Sequence, residues 1–232
     1  NHPRSFSTLA SKLEANYTLP MNFRLIGGID YEHWDRRWQP TFVGHRARTD
    51  EISYRAEIRR TLSDTVTGSI AYIHSNRFGS PFISTMTASG DPYFNTIAPL
   101  NLSDRNRDKV RLLLNWEPIE PLSLQVMVDE SFDNYGHRSS SNLGLRNGSA
   151  RNYSLDAAYT FSENLQVVGW FSRNETHIDQ ASRNWSPVDG SRKIWSANLQ
   201  NIGTSFGTDI NGKPTEKIEI CASLSQSFIT DK

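Results

Sequence analysis

Cysteine is almost absent from this chain: Cys221 stands alone among 232 residues. No disulfide can close within the chain, and no thiolate metal cluster can form. There is no Cys-x-x-Cys-His, so the chain attaches no c-type haem of its own. Hydrophobic residues make up only 36%, and mean hydropathy is −0.58. No apolar run approaches the roughly 18–20 residues of a membrane helix. Lys and Arg total 25 and Asp and Glu total 25, a balance that gives no case for a basic nucleic-acid surface. No signal peptide is evident and the first residue is not Met. The expectation is that a leader has been removed or that the chain is a piece of something longer.

Aromatic residues, by contrast, are plentiful: 6 Trp, 8 Tyr and 11 Phe. That rules out the composition of a disordered chain. Their placement carries the main signal, which has a period of two. In 151–173, Tyr153, Leu155, Ala157, Tyr159 and Phe161 alternate with Asn152, Ser154, Asp156, Ala158 and Thr160. Phe23, Leu25, Gly27, Ile29 and Tyr31 alternate with Arg24, Asp30 and Glu32. Ile52, Tyr54, Ala56 and Ile58 oppose Ser53, Arg55, Glu57 and Arg59, while Val110, Leu112, Leu114 and Trp116 oppose Arg111 and Asn115. Leu122–Val128 and Ile218–Phe228 repeat the pattern. In 193–206 the parity slips between Leu199 and Phe206, which predicts a bulge.

The pattern predicts about ten strands of roughly 10–13 residues, where soluble strands average about 5–6 and bilayer-crossing strands need about 9–11. They pair as hairpins at about 9–34, 50–77, 108–134, 151–178 and 193–228. Short links (Thr18–Asn22, Thr61–Thr65, Glu117–Pro121, Ser162–Asn164) alternate with long ones (Asp35–Thr49, Phe78–Arg107, Gly136–Ala150, Asp179–Arg192). The last link, Gly207–Glu216, is intermediate and carries the turn signal Asn-Gly-Lys-Pro. Short turns at one end and long loops at the other are the signature of an outer-membrane barrel. The expected fold is therefore all-β, a transmembrane antiparallel up-and-down barrel in a single segment spanning 1–232. Its aromatic and aliphatic parity faces lipid and its polar parity faces the lumen. Strand pairing satisfies each backbone polar group where hydrocarbon offers no partner. Tyr31, Trp34, Tyr72, Trp116, Tyr135, Phe161 and Trp195, near strand ends, are the expected interfacial girdle. A soluble antiparallel sandwich also alternates, but with shorter strands and less regular loops.

The segments FRLIGGIDYEHWDR, YRAEIRRTLSDTVTGSIAYIHSNR, DRNRDKVRLLLNWEPIEPLSLQVMVDESFDNYG and LGLRNGSARNYSLDAAYTFSENLQVVGWFSR together resemble the MtrB/PioB type of decahaem-associated outer-membrane barrel. The likeness runs from about residue 9 to 228 and lies in hairpin signatures: Y-x-Y-x-x-x-D-R-like strands, LSDT or FSEN turns, and N-W-x-P before an L-S-L-Q run. The resemblance implies a barrel of about twenty-six strands, about three times longer than this chain, of which roughly ten strands are present here. It implies a periplasmic multihaem c-type cytochrome in the lumen, an extracellular one docking outside, and haem carried only by those partners. A Cys-x-x-Cys frequent near the family's amino terminus is absent, and Phe228 is followed by Ile-Thr-Asp-Lys rather than ending the chain. Both features read as an internal or partial segment. A complete ten-stranded barrel remains compatible with length alone.

No catalytic or metal site is expected. Gly203–Gly207 matches G-x-S-x-G around Ser205, but a nucleophile elbow needs a helix after the turn, and another strand follows. His33 with Asp35, and His177 with Asp179, offer two ligands each where a metal site wants three or four. His2, His45, His74 and His137 are scattered. The charge-dense run Asn101–Lys109 reads as the base of a solvated loop, without calcium-loop spacing. The sequons at Asn16, Asn101, Asn147 and Asn174 are chance matches. The residues expected to face the lumen or a partner are Arg24, Asp30, Arg55, Glu57, Arg59, Arg111, Asp129, Asp156 and Glu219. A water-filled porin wall wants the same charged lining, and the family resemblance favours a protein plug.

Overall fold

The computed structural model describes residues 5–36, 46–81, 100–136, 144–185, 192–215 and 217–232. They form ten antiparallel strands and, among the described residues, no helix. The strands are β1 (Phe6–Leu19), β2 (Phe23–Arg36), β3 (Arg48–Ser63), β4 (Val66–Gly79), β5 (Arg105–Ile119), β6 (Leu122–Asn134), β7 (Gly144–Ser162), β8 (Leu165–Trp185), β9 (Arg192–Thr215) and β10 (Ile218–Asp231). Each pairs with its chain neighbours in one sheet of order β1 to β10. Among the described residues β1 and β10 each pair on one edge only, so these ten strands form an open wall.

The strands run past the hairpin limits expected from alternation, because pairing continues beyond the apolar stretch. β9 extends to Thr215, which shrinks the predicted intermediate link to the two residues before Ile218 and puts Asn211–Pro214 inside the strand. The predicted bulge in β9 is not there. Its pairing with β8 is unbroken from Arg192 to Gly212, and Leu199 takes a polar-face position opposite Ile178. In the link from β1 to β2, Met21 and Asn22 both stand at φ 60°, and the Phe23 N–H faces the Pro20 carbonyl at 3.5 Å. Positive φ at two successive residues is the left-handed bend that hairpin turns favour, because it matches the twist of the strands.

Polarity is inverted relative to a soluble fold. Leu13, Leu25, Ile29, Tyr54, Ile58, Ile70, Leu112, Leu114, Leu155 and Phe171 are exposed. Glu57, Ser75, Arg105, Asp129, Ser131 and Asp133 are buried. Register explains this: Leu25, Ile58, Ile70, Leu112 and Val128 pair across to one another or sit two residues apart on one face. On the other, concave face the charged side chains crowd together and cover one another. An outward apolar face and an inward polar one are what a bilayer demands of strands.

A polar collar bounds the apolar face at the long-loop end. His33 Nδ1 lies 2.7 Å from Asp50 Oδ1, which also accepts from the Tyr31 hydroxyl at 2.7 Å. Tyr72 and His74 hold Asp108 in the same way, at the equivalent register positions of β4 and β5. Arg151 donates to Glu130 at 2.8 Å, and Asn198 bridges His177 and Asp179. From Asp50 to Arg60 along β3, four outward apolar residues intervene. About ten residues at 3.3 Å each, tilted near 40°, cover about 25 Å, the height of an outer-membrane hydrocarbon band.

Candidate functional site: the concave wall

Three of the seven expected girdle residues lie on the wrong face for lipid. Tyr31, Tyr72, Trp116 and Phe161 share the outward parity, and Trp116 and Phe161 are exposed. Trp34, Tyr135 and Trp195 occupy the concave parity. Trp34 donates to Glu32 at 2.7 Å, and Tyr135 is 4% exposed against Leu145 and Ile178. Nearness to a strand end says nothing about facing; in a pleat, parity decides it. Burial, with the Asp133 charge beside it, pushes the Tyr135 phenol above its ordinary pKa.

All nine expected lumen residues fall on the concave parity, but they differ in company. Arg111 and Asp129, paired directly across β5 and β6, form a two-pronged bridge, Nε to Oδ1 at 2.7 Å and Nη2 to Oδ2 at 2.9 Å. Glu57 is buried between Arg59 at 2.8 Å and Arg55 at 3.5 Å. Arg55 also reaches Glu14, two strands away. It does so by crossing Gly28, its register partner, where a Cβ would stand 3.3 Å from the guanidinium. A Cβ at 28 would oblige the guanidinium to give way by a few tenths of an ångström. Arg24 is exposed and Asp30 half-buried. Asp156 lies between Gln125 and Trp170. Glu219 is exposed, 3.7 Å from Lys213.

The densest cluster lies partly in the run expected to be a loop base. Residues 105–109 belong to β5, and Arg105, Arg107, Lys109 and Arg111 line the concave face at every second position. Glu51 accepts from Arg77 at 2.8 Å and from Arg105 at 2.6 Å. Asp133 takes a two-pronged bridge from Arg107, at 2.6 and 2.8 Å. Asp129 receives Lys109 at 2.7 Å beside Arg111. The signal was present as R-N-R-D-K-V-R, a period-two run of cations continuous with the apolar alternation of β5. Reading its charge density as a loop concealed it.

The second half of the wall has a different chemistry. Ser154, Ser172, Ser205 and Ser227 pair in one lateral row across β7 to β10. Beside it the Trp170 ring packs against Gly207, its register partner, where a Cβ would meet the ring at 2.7 Å. Ser205 therefore sits in mid-strand, with no turn or helix to raise it as a nucleophile. His33 bonds Asp50 rather than Asp35, and His177 and Asp179 share Asn198. No group of three or more His, Cys, Asp and Glu is found among the described residues. His2, His45 and His137 lie outside the described residues.

The family model described as "Putative outer membrane beta-barrel porin, MtrB/PioB" matches residues 1–228. The chain belongs to the MtrB/PioB family of outer-membrane β-barrels. Membership places it in the outer membrane as an integral barrel wall, in agreement with the inverted polarity of the sheet. It is 23% identical over 172 residues to the outer membrane protein MtrB of Shewanella baltica (strain OS185), a match covering 74% of this chain and 24% of that protein. Among solved structures it is similar to the outer membrane transporter YddB from Escherichia coli, at TM-score 0.46 and 13% identity, covering 97% of this chain and 34% of that one.

Proposed function

We propose that the chain forms part of a sheath that holds a multihaem c-type cytochrome in the outer membrane, so that electrons cross through haems in the lumen. The wall carries no redox group in this reading. It supplies width, insulation from lipid and a wetted lining, and it positions the cytochrome for an extracellular partner. The observation that carries the reading is the concave face of β1 to β6. Its long charged side chains are already held by one another, so the lining is preorganised and presents fixed donors and acceptors to a folded protein. Family membership supports it. The test is to isolate the complete gene product in mild detergent from cells respiring on an external acceptor or donor. A haem-staining multihaem cytochrome should travel with it. A haem-free barrel from such cells refutes the reading.

A diffusion porin is the second reading, favoured by the same charged lining in an all-β wall. It requires steady ion conductance from the barrel as isolated, where a sheathed cytochrome gives a silent one.

A further inference from the structure

We infer that the cationic rail of β5 is a seat for an acidic face of the protein occupying the lumen. The inference deepens the sheath reading and rests on it for the identity of the occupant as a protein.

Five cations (Arg77, Arg105, Arg107, Lys109 and Arg111) form ion pairs with three carboxylates (Glu51, Asp129 and Asp133), a surplus of two positive charges among these groups; Glu57, whose charge also acts on Arg111, is itself held by Arg55 and Arg59. Every carboxylate oxygen already accepts from at least one of these cations. Both oxygens of Glu51 are taken, one by Arg77 and one by Arg105. Both oxygens of Asp133 are taken by Arg107, with the Tyr135 hydroxyl on one of them at 3.2 Å. Both oxygens of Asp129 are taken by Arg111, with Lys109 on the second. The neighbours of Lys109 across the sheet are Ile73 and Ser131, neither of which carries charge.

Arg105 shows the shortage most directly. Its side chain is 9% exposed, its Nη1 stands 4.0 Å from Asp133, and its Nε has no hydrogen-bond partner. A buried guanidinium nitrogen left unpaired is costly, and the Nε atoms of Arg55 and Arg60 share that state. The accessible members of the rail are Arg111 at 41%, Arg107 at 28% and Lys109 at 23% side-chain exposure. They lie along one strand at alternate residues, spaced about 6.6 Å apart, a ladder that matches carboxylates on a protein surface rather than one small ion. Among the described side chains of β7 to β10 no such row of cations appears; Asp156, Asp209 and Glu219 stand there among serines, asparagines and glycines.

The experiment uses the complete gene product, freed of partners and inserted in planar bilayers, with short polyglutamate and polylysine of equal length as probes. Polyglutamate should block the current at a lower concentration than polylysine, and the difference should shrink as salt rises. Lys109→Gln removes one surplus charge while Arg111 still holds Asp129. It should raise the blocking concentration of polyglutamate about three- to tenfold, and Lys109→Arg should leave it unchanged. Ser131→Asp, which adds the missing carboxylate beside Lys109, should act in the same direction as Lys109→Gln. Equal block by both polymers, or no response to Lys109→Gln and Ser131→Asp, overturns the inference even where a cytochrome co-purifies. Preferential block by polyglutamate in a protein that never carries a cytochrome removes the sheath and leaves the cationic seat for an acidic partner.

Discussion

Arg111 grips Asp129 with two parallel hydrogen bonds across directly paired positions of β5 and β6. Asp129 is 7% exposed, while Arg111 is 41% exposed at its side chain. The bond is thus a partly wetted pair whose acid is sunk in the wall, and its worth lies between a surface bridge and a buried one. Arg111→Ala should cost about 1 kcal/mol, because Lys109 stays on Asp129. Asp129→Asn should cost more, about 2 kcal/mol, since it leaves two cations facing an uncharged amide. Urea unfolding of the refolded barrel, followed by tryptophan fluorescence, measures both; an Asp129→Asn variant as stable as wild type would contradict the pairing.

Neighbouring residues of opposite parity should respond oppositely to charge. Leu112 lies outward, in the middle of the apolar run of β5, and Leu113 lies inward. Leu112→Arg should cost about 2–4 kcal/mol of folding into lipid vesicles, the penalty at a bilayer midplane, and Leu113→Arg about 1 kcal/mol or less. At the collar, Arg in place of His33 should cost almost nothing. A reversed order of Leu112 and Leu113 would place lipid on the other face.

Gly207 and Trp170 make a close pair that bulk at 207 cannot share. A Cβ there would also stand 2.7 Å from the Leu224 carbonyl oxygen. Gly207→Val should therefore destabilise the barrel by about 1–3 kcal/mol. Trp170→Ala should recover part of that loss in the double variant, which a thermodynamic cycle will show. Gly27→Ala, with open space around the added carbon, serves as the control and should be neutral.

The short turns should face the periplasm and the long connections the exterior. With Cys221 changed to Ser, a membrane-impermeant maleimide should label Arg48→Cys in intact cells. It should reach Asp64→Cys, in the short turn between β3 and β4, only after the outer membrane is permeabilised. Labelling of Asp64→Cys in intact cells would invert the wall.

Strand count, facing and membrane setting were legible in the residues alone, because each is a local property. A period of two assigns facing within one strand, and strand length against a bilayer needs no knowledge of neighbours. The repeated Tyr-x-His of 31–33 and 72–74 was visible as well, but its meaning depends on Asp50 and Asp108 standing opposite, and pairing register is a relation between strands. The same holds for Glu51, which joins Arg77 and Arg105 across 26 and 54 positions of sequence. The sequence by itself decided which side chains point inward: one pleat and one alternation leave no choice. Only the tertiary structure decided which of them meet, that five cations share three carboxylates, and that Arg55 passes over Gly28 to Glu14. Register and curvature bring those groups within bonding distance, and neither is written in the alternation of a single strand.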